Sequence, residues 1–165
     1  LRTMRAVLPI WCERGSGVVV NVSSIAGRVA PPYGGAYSAS KHALEAMSES
    51  LHFEVSQLGI RVHLIEPGRF TTNFQDNIVH PASWTGSAQE QRALAFRNSL
   101  ASLDGGGPPS DPQAVADAIV RAATDPSMPF RTLVGEDAAL IDATKTSMSF
   151  EDFETTMRTA LNWHD

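Results

Sequence analysis

Residues 18–27 of the chain read VVVNVSSIAG, and this stretch decides the fold. Its first half is a short, continuous run of β-branched residues, which is typical of a strand buried on both faces of a sheet. Strands of that kind belong to parallel sheets that helices cover on both sides. We therefore expect a strand at 18–22 within a layered structure, with Ser23 and Ser24 just past its end.

A long helix and a second strand follow this stretch. Apolar residues recur at intervals of three and four between Ala36 and Leu58, and Gly59 supplies a stop signal. From Ile60 to Ile65 the side chains alternate in a strand-like manner, and a Pro-Gly pair ends the run. Strand, helix and strand form a βαβ unit, whose two strands must run parallel. The apolar stripe of the helix consists of Leu44, Met47, Leu51, Val55 and Leu58.

The rest of the chain is predicted to be mostly helical, so the fold class is α/β. The glycine and proline patch at 105–109 is interpreted as a flexible joint. The further elements expected are helices at 1–14 (interrupted by Pro9), at 88–100, after Asp111-Pro112 and after a capping box at Ser149 and Asp152, and a short strand at 131–134.

Composition narrows the class of protein. A chain of 165 residues has the length of one domain, and 42% hydrophobic and 19% charged residues are typical of a soluble globular protein. No apolar run reaches the roughly 18 residues that a membrane-spanning helix needs. The net charge of −5 argues against a protein that binds nucleic acid by neutralising phosphates. A single cysteine, Cys12, excludes an internal disulfide and fits a reducing compartment, so we expect a cytoplasmic protein.

Three residues have the chemistry for proton transfer. Ser24 follows the carboxyl end of a predicted parallel strand, where open α/β sheets bind their ligands. Tyr37 and Lys41 are four residues apart at the start of the long helix, so their side chains share one face. A lysine ammonium beside a phenol is expected to lower the phenol's pKa, which makes the hydroxyl a usable acid and base. A serine hydroxyl nearby can hydrogen-bond a substrate oxygen as charge develops there.

The motifs that carry these residues resemble the short-chain dehydrogenase/reductase family. They read NVSSIAG at 21–27, YSASK at 37–41 and PGRFTT at 67–72, with a looser match, DPQAVA, at 111–116. The resemblance implies a Rossmann-type, doubly wound parallel sheet. It also implies hydride transfer between an alcohol/carbonyl pair and NAD or NADP, without indicating which of the two.

The resemblance implies a role for each matching residue. Ser24 would orient and polarise the substrate carbonyl, Tyr37 would donate or accept the proton, and Lys41 would assist Tyr37 and hold the nicotinamide ribose. A homo-oligomer built through the helix at 36–58 is also implied. The other positions singled out are Pro67, Gly68, Phe70 and Thr72 for the nicotinamide end of the cofactor, and Tyr33, Phe74 and Trp84 for an apolar substrate pocket.

Two features of the family's pattern are absent from this sequence. Neither its Gly-rich phosphate turn nor the Asn-Asn-Ala-Gly-type segment occurs anywhere in the chain. We therefore expect a partial Rossmann-type domain without its N-terminal strands, in which 1–67 form the catalytic core, 68–110 the substrate lid and 111–165 the C-terminal helices and last strand. The chain as given is expected to bind NAD or NADP weakly, since no Gly-rich turn at a helix N-terminus is available for the pyrophosphate.

The sequence disfavours two other kinds of site. A serine hydrolase is disfavoured because the residues around Ser24 do not form Gly-x-Ser-x-Gly. A metal site is disfavoured because the five histidines lack ligand spacing and there is no cysteine pair. A catalytically inactive relative that acts as an interaction or oligomerisation module stays open as the alternative.

Overall fold

Three parallel strands form the sheet in the computed structural model, which describes residues 2–74, 76–80, 82–100 and 110–163. The strands are β1 (Gly17–Val22), β2 (Ile60–Pro67) and β3 (Arg131–Val134), and they lie in the order β1-β2-β3. Both pairings are parallel, which confirms the predicted α/β class. The helices are α1 (Arg2–Arg14), α2 (Gly35–Val55), α3 (Ala88–Leu100), α4 (Gln113–Thr124), α5 (Glu136–Thr146) and α6 (Phe150–Ala160).

The predicted βαβ unit is present as β1, α2 and β2. Short 3₁₀ turns follow β1 at Ile25–Gly27 and α2 at Ser56–Leu58. Gly59 closes the second turn with φ +74°, a left-handed conformation that glycine adopts without strain. Because the strands are parallel, the residues that follow β1 and β2 meet at the same edge of the sheet.

Helices cover both faces of the sheet. Val19, Ile60 and Val62 pack with Leu51 and Val55 of α2, and side chains of α1 close over this cluster. On the opposite face Ile65 packs with residues of α4, and Val20 lies against the same group. The change of face between Val19 and Val20 follows from the two-residue period of a strand. None of the helices in the described part of the chain is long and apolar enough to cross a membrane.

The prediction that β1 is buried on both faces was wrong. Only Val19 of β1 is buried, and Val22 is 41% exposed. Within the described residues β1 pairs with β2 alone, so its other side has no neighbouring strand. The strand buried on both faces is β2, which lies between two strands, although its sequence includes His63 and Glu66.

The apolar stripe predicted for α2 is buried only in part. Leu51 and Val55 are buried, but Met47 and Leu58 are more than a third exposed. The buried face instead continues through Ser38, Glu45 and Ser48. Ser48 is satisfied there because its hydroxyl accepts a hydrogen bond from Asn21 Nδ2 at 2.8 Å and donates one to the Leu44 carbonyl.

The other helix predictions were mostly confirmed. Ser149 caps α6 as predicted, since its Oγ accepts a hydrogen bond from the Asp152 backbone N–H at 3.1 Å, and the Asp152 carboxylate accepts one from the Ser149 hydroxyl at 2.8 Å. Pro9 lies inside α1 without ending it, and α5 was not predicted from the sequence. The joint expected at 105–109 lies outside the described residues.

Polar side chains are buried where α2 crosses β2. Glu66 is completely buried near the end of β2, and Arg28 Nη1 and Arg131 Nε lie 3.5 and 3.6 Å from its Oε1. Glu45 of α2 is also buried, and its Oε2 lies 3.2 Å from Arg131 Nε. We call Arg28, Glu45, Glu66 and Arg131 the buried charge cluster.

The environment of Glu66 favours its protonated form. Burial, and next the negative charge of Glu45, raise the pKa of Glu66 to about 7 against the opposing effect of Arg28 and Arg131. In the unfolded chain the carboxyl group loses its proton near the usual value of 4.5. Between these values the folded state binds more protons than the unfolded state, so the free energy of unfolding falls as pH rises through this window.

We expect Glu66→Gln to remove this pH dependence. One pKa unit corresponds to about 1.4 kcal/mol, so the free energy of unfolding of the wild type should fall relative to the variant by up to about 3 kcal/mol between pH 4.5 and 8. Urea denaturation of both proteins across this range measures the difference. If the free energy of unfolding changed with pH in the same way in both proteins, this would contradict a raised pKa at Glu66.

Candidate active site

Ser24 lies where the carboxyl ends of β1 and β2 meet. Its Oγ accepts a hydrogen bond from the Ala26 backbone N–H at 3.1 Å and so caps the 3₁₀ turn that follows β1. The same hydroxyl lies 3.4 Å from the carbonyl oxygen of Pro67, the last residue of β2. Ser24 is buried, with 8% of its surface exposed.

Tyr37 and Lys41 lie in the first two turns of α2, on one face as predicted. Lys41 Nζ is 5.6 Å from the centre of the Tyr37 ring. It also donates a hydrogen bond of 3.0 Å to the carbonyl of Val22, two residues before Ser24. This bond joins the start of α2 to the end of β1, so all three predicted catalytic residues are attached to one edge of the sheet.

Lys41 is half-buried, and burial disfavours its charged ammonium form. Desolvation lowers the pKa of Lys41 from its ordinary value, and the carboxylate of Glu45, one helical turn further along, partly opposes this. The ammonium form therefore depends on a negative charge that belongs to the buried charge cluster.

The segment predicted to hold the nicotinamide end of a cofactor runs from Pro67 to Thr72. Gly68 donates its backbone N–H to the Val134 carbonyl at 2.9 Å, and Arg69 donates its backbone N–H to Asp137 Oδ2 at 2.7 Å. A Cβ atom on Gly68 would lie 2.1 Å from Asp137 Oδ1, so a larger residue there would displace the Asp137 carboxylate. The segment is therefore fixed to the end of β3 and the first turn of α5.

Further along this segment the main chain meets the residues before α4. Phe70 forms a parallel bridge with Ser110, and Thr71 donates its backbone N–H to the Ser110 carbonyl at 3.1 Å. Thr72 Oγ1 accepts a hydrogen bond from the Phe74 backbone N–H at 3.3 Å. Pro67, Gly68, Phe70 and Thr72 thus lie along one anchored stretch of chain.

The residues predicted for a substrate pocket are not all at the site. Phe74 lies against Tyr37, with ring centres 5.2 Å apart. Tyr33 packs against Phe96 of α3 at 6.3 Å, and it adopts a positive φ of 62° in the loop before α2. Trp84 stacks on His80, and no contact joins this pair to Ser24 or Tyr37 among the contacts of the described residues.

Sequence reasoning missed two groups of residues around the site. Asp137 was not singled out because α5 was not predicted, although an acidic residue in a helix's first turn is a usable signal. The buried charge cluster was missed because the helix and the strand were predicted from their apolar side chains, and neither Glu45 nor Glu66 was singled out. A glutamate between Ile65 and Pro67 in a central strand was the available signal. In the described part of the chain, no three histidine, cysteine, aspartate or glutamate side chains are grouped as a metal site requires.

Comparison with known proteins places these features in one family. A family model described as short chain dehydrogenase matches residues 1–82. The chain is 39% identical over 135 residues to a 3-ketodihydrosphingosine reductase of Bacteroides thetaiotaomicron, which covers 79% of this chain and 48% of the relative. The chain spans about half the length of the curated relatives it matches.

Solved structures agree with the sequence comparison. A short-chain dehydrogenase from Streptomyces avermitilis superposes with a TM-score of 0.67 at 30% identity, covering 99% of this chain and 59% of that one. A 3-oxoacyl-[acyl-carrier protein] reductase with bound NAD from Brucella melitensis superposes with a TM-score of 0.54 at 26% identity, covering 79% and 44%. The parallel sheet, the motifs at its carboxyl edge and these relatives lead to one conclusion: the chain belongs to the short-chain dehydrogenase/reductase family.

Proposed function

We propose that this protein is an NAD(P)-dependent oxidoreductase that interconverts an alcohol and a carbonyl at Ser24, Tyr37 and Lys41. The observation that carries the proposal is the position of Lys41 Nζ. It lies beside the Tyr37 ring and is bound to the Val22 carbonyl, at the strand end that leads into Ser24. A proton donor, a cation and a hydroxyl at one sheet edge suit proton transfer to and from a substrate oxygen.

The residues present fit the ribose and nicotinamide end of such a cofactor. Lys41 has three N–H donors and uses one of them on Val22, which leaves donors for the hydroxyl groups of a ribose. The anchored segment from Pro67 to Thr72 offers backbone groups beside them. We propose that Tyr37, Lys41, Pro67, Gly68, Phe70 and Thr72 hold the cofactor, which supplies or accepts the hydride when bound.

Each of the three side chains has a separate task in the proposed reaction. Tyr37 Oη gives a proton to the carbonyl oxygen during reduction and takes it back during oxidation. The Lys41 ammonium, which lies beside the Tyr37 ring, stabilises the negative charge that develops on Tyr37 Oη as the proton leaves. At 3.4 Å the contact of Ser24 Oγ with the Pro67 carbonyl is long for a hydroxyl hydrogen bond, so the hydroxyl can turn toward a substrate oxygen at small cost.

An apolar carbonyl compound is the proposed substrate class. Phe74 places an aromatic ring against Tyr37, which gives the phenol an apolar neighbour. The relative from Bacteroides thetaiotaomicron is named as a 3-ketodihydrosphingosine reductase, so 3-ketodihydrosphingosine is a suitable first compound to test with NADH and NADPH. The choice of cofactor is decided by the same assay.

A second candidate function is association through α2. Phe53 and Met47 are 72% and 38% exposed on this helix, and Leu58 in the 3₁₀ turn that follows it is 42% exposed. Exposed apolar side chains on one helix favour contact with another protein surface. We propose a second copy of this chain as the partner, whether or not the protein is catalytic.

Tyr37→Phe tests the catalytic proposal. Loss of the phenol removes the proton donor, so kcat should fall by about 10²- to 10⁴-fold while the fold is unchanged. Tyr33→Phe is the matched control, because it removes a hydroxyl from the one other tyrosine, and its effect on kcat should be far smaller. Equal activity of Tyr37→Phe and the wild type would overturn the assignment.

Glu45→Gln tests the electrostatic link between the cluster and Lys41. Removal of the carboxylate that holds the Lys41 pKa up should lower that pKa further below the ordinary lysine value. The chain has two lysines, Lys41 and Lys145, so a ¹³C-lysine NMR titration resolves both. Glu49→Gln, on the same helix but half exposed, should shift the Lys41 titration much less, and an equal shift in both variants would contradict the link.

Phe53→Ser tests association. If α2 forms the contact, this variant should shift a dimer or larger assembly toward monomer in light scattering coupled to size exclusion. Phe150→Ser is the matched control, since Phe150 is 68% exposed on α6 and lies outside the proposed surface. A wild type that is monomeric at every concentration would rule the contact out.

A further inference from the structure

Two carboxyl groups are buried together against one guanidinium group behind the candidate site. Arg131 Nε lies 3.2 Å from Glu45 Oε2 and 3.6 Å from Glu66 Oε1. The remaining oxygens, Glu45 Oε1 and Glu66 Oε2, are buried and have no hydrogen-bond partner among the described residues. A buried oxygen without a donor is costly, and one proton shared by the two carboxyl groups would supply a donor to the pair.

The pair touches the segments that carry the candidate catalytic residues. Glu66 directly precedes Pro67, whose carbonyl lies next to Ser24 Oγ. Glu45 lies one helical turn beyond Lys41 on α2. The turn that Ser24 caps packs directly on Glu45, since a Cβ atom on Gly27 would lie 3.0 Å from Glu45 Cγ.

Arg28 adds a second connection from the same turn. It follows the turn immediately and reaches Glu66 Oε1 with Nη1 at 3.5 Å. Its Nε and Nη2 bind both carboxylate oxygens of Asp142 on α5, at 2.6 and 3.1 Å. Lys145 of α5 donates to the Arg28 carbonyl at 2.5 Å. The end of the Ser24 turn is thereby held between β2 and α5.

We propose that Glu66 is a positioning residue for Ser24 and Lys41, and that it acts through one proton shared with Glu45. The proposal rests on the proposed function for its catalytic meaning, but the shared proton is a property of the folded chain. With the proton present, the two carboxyl groups are joined and α2 is held against β2. Without it they repel each other, and the helix that carries Lys41 shifts relative to the Ser24 turn.

The charged groups around the pair come from four elements. Arg28 faces it from the turn after β1 and Arg131 from β3, while Lys41 and Glu49 flank Glu45 on α2. Asp142 on α5 engages Arg28 from the far side. The two arginines are each shared with a further carboxylate, so neither is free to neutralise a second charge on the pair.

Infrared spectroscopy of the wild type tests the shared proton without any substrate. At pH 6 exposed carboxyl groups are ionised, so a protonated carboxyl group in the core gives a distinct carbonyl stretch. We expect this band at pH 6 in the wild type and in Glu49→Gln, and we expect both proteins to lose it at pH 8. The band should be absent from Glu66→Gln at either pH. A wild type without a band at pH 6 beyond that of Glu66→Gln would overturn the proposal.

The ¹³Cε signal of Lys41 tests positioning in the same proteins. If loss of the shared proton moves α2, the Lys41 signal should shift near neutral pH in the wild type and in Glu49→Gln. Glu66→Gln keeps an N–H donor toward Glu45 at every pH, so its Lys41 signal should lack this step. A step of equal size in Glu66→Gln and the wild type would overturn the role of Glu66. If Glu66→Gln does not fold, Glu45→Gln is the second variant, and its Lys41 signal should also lack the step.

Kinetics then separate this proposal from the proposed function. Glu66→Gln should keep its kcat at high pH where the wild type declines, and KM should change little. Glu66→Met, which has similar length but no donor, should lower kcat about ten- to a hundredfold across the range through misplacement. If the wild type turns over no alcohol or carbonyl, the proposed function fails while the infrared and NMR results still decide the shared proton. An active wild type whose kcat profile matches that of Glu66→Gln overturns the positioning role alone.

Discussion

The parallel pairing of β1 with β2 is the constraint on which the rest of the structure depends. Two parallel strands need a long crossover, and here α2 provides it, which brings Tyr37 and Lys41 back to the edge where β1 ends. The same pairing brings Pro67 beside Ser24. The candidate site is thus assembled by the connection between two strands.

The elements that follow simple periodicity could be predicted from the sequence. The run at 18–22, the long helix and the strand at 60–65 have strong local patterns, and their order alone requires parallel strands. Ser24, Tyr37 and Lys41 could be placed for the same reason, since each is fixed by its position at the end or start of such an element. The residues against which they pack could not be placed, because those contacts join segments 19 to 43 residues apart.

Burial was harder to predict than secondary structure, and β1 and β2 show why. A run of valines is typical of a central strand, but exposure depends on the neighbours that the strand has, and within the described residues β1 has one. Glu66 and Glu45 look like solvent-facing residues because a single sequence does not show which arginines will lie beside them. Their burial is explained by Arg28 and Arg131, which come from distant parts of the chain and lie beside them in the fold.

The shared guanidinium of Arg131 has a consequence for how this sequence can change over time. Arg131 engages Glu45, Glu49 and Glu66 at once, so replacing it leaves several carboxylates without their cation. Replacing either buried glutamate alone removes one of the carboxylates that Arg131 contacts. Exchange of a single member is therefore expected to destabilise the fold, whereas replacing all four residues together with apolar ones removes the charges and their desolvation cost at once.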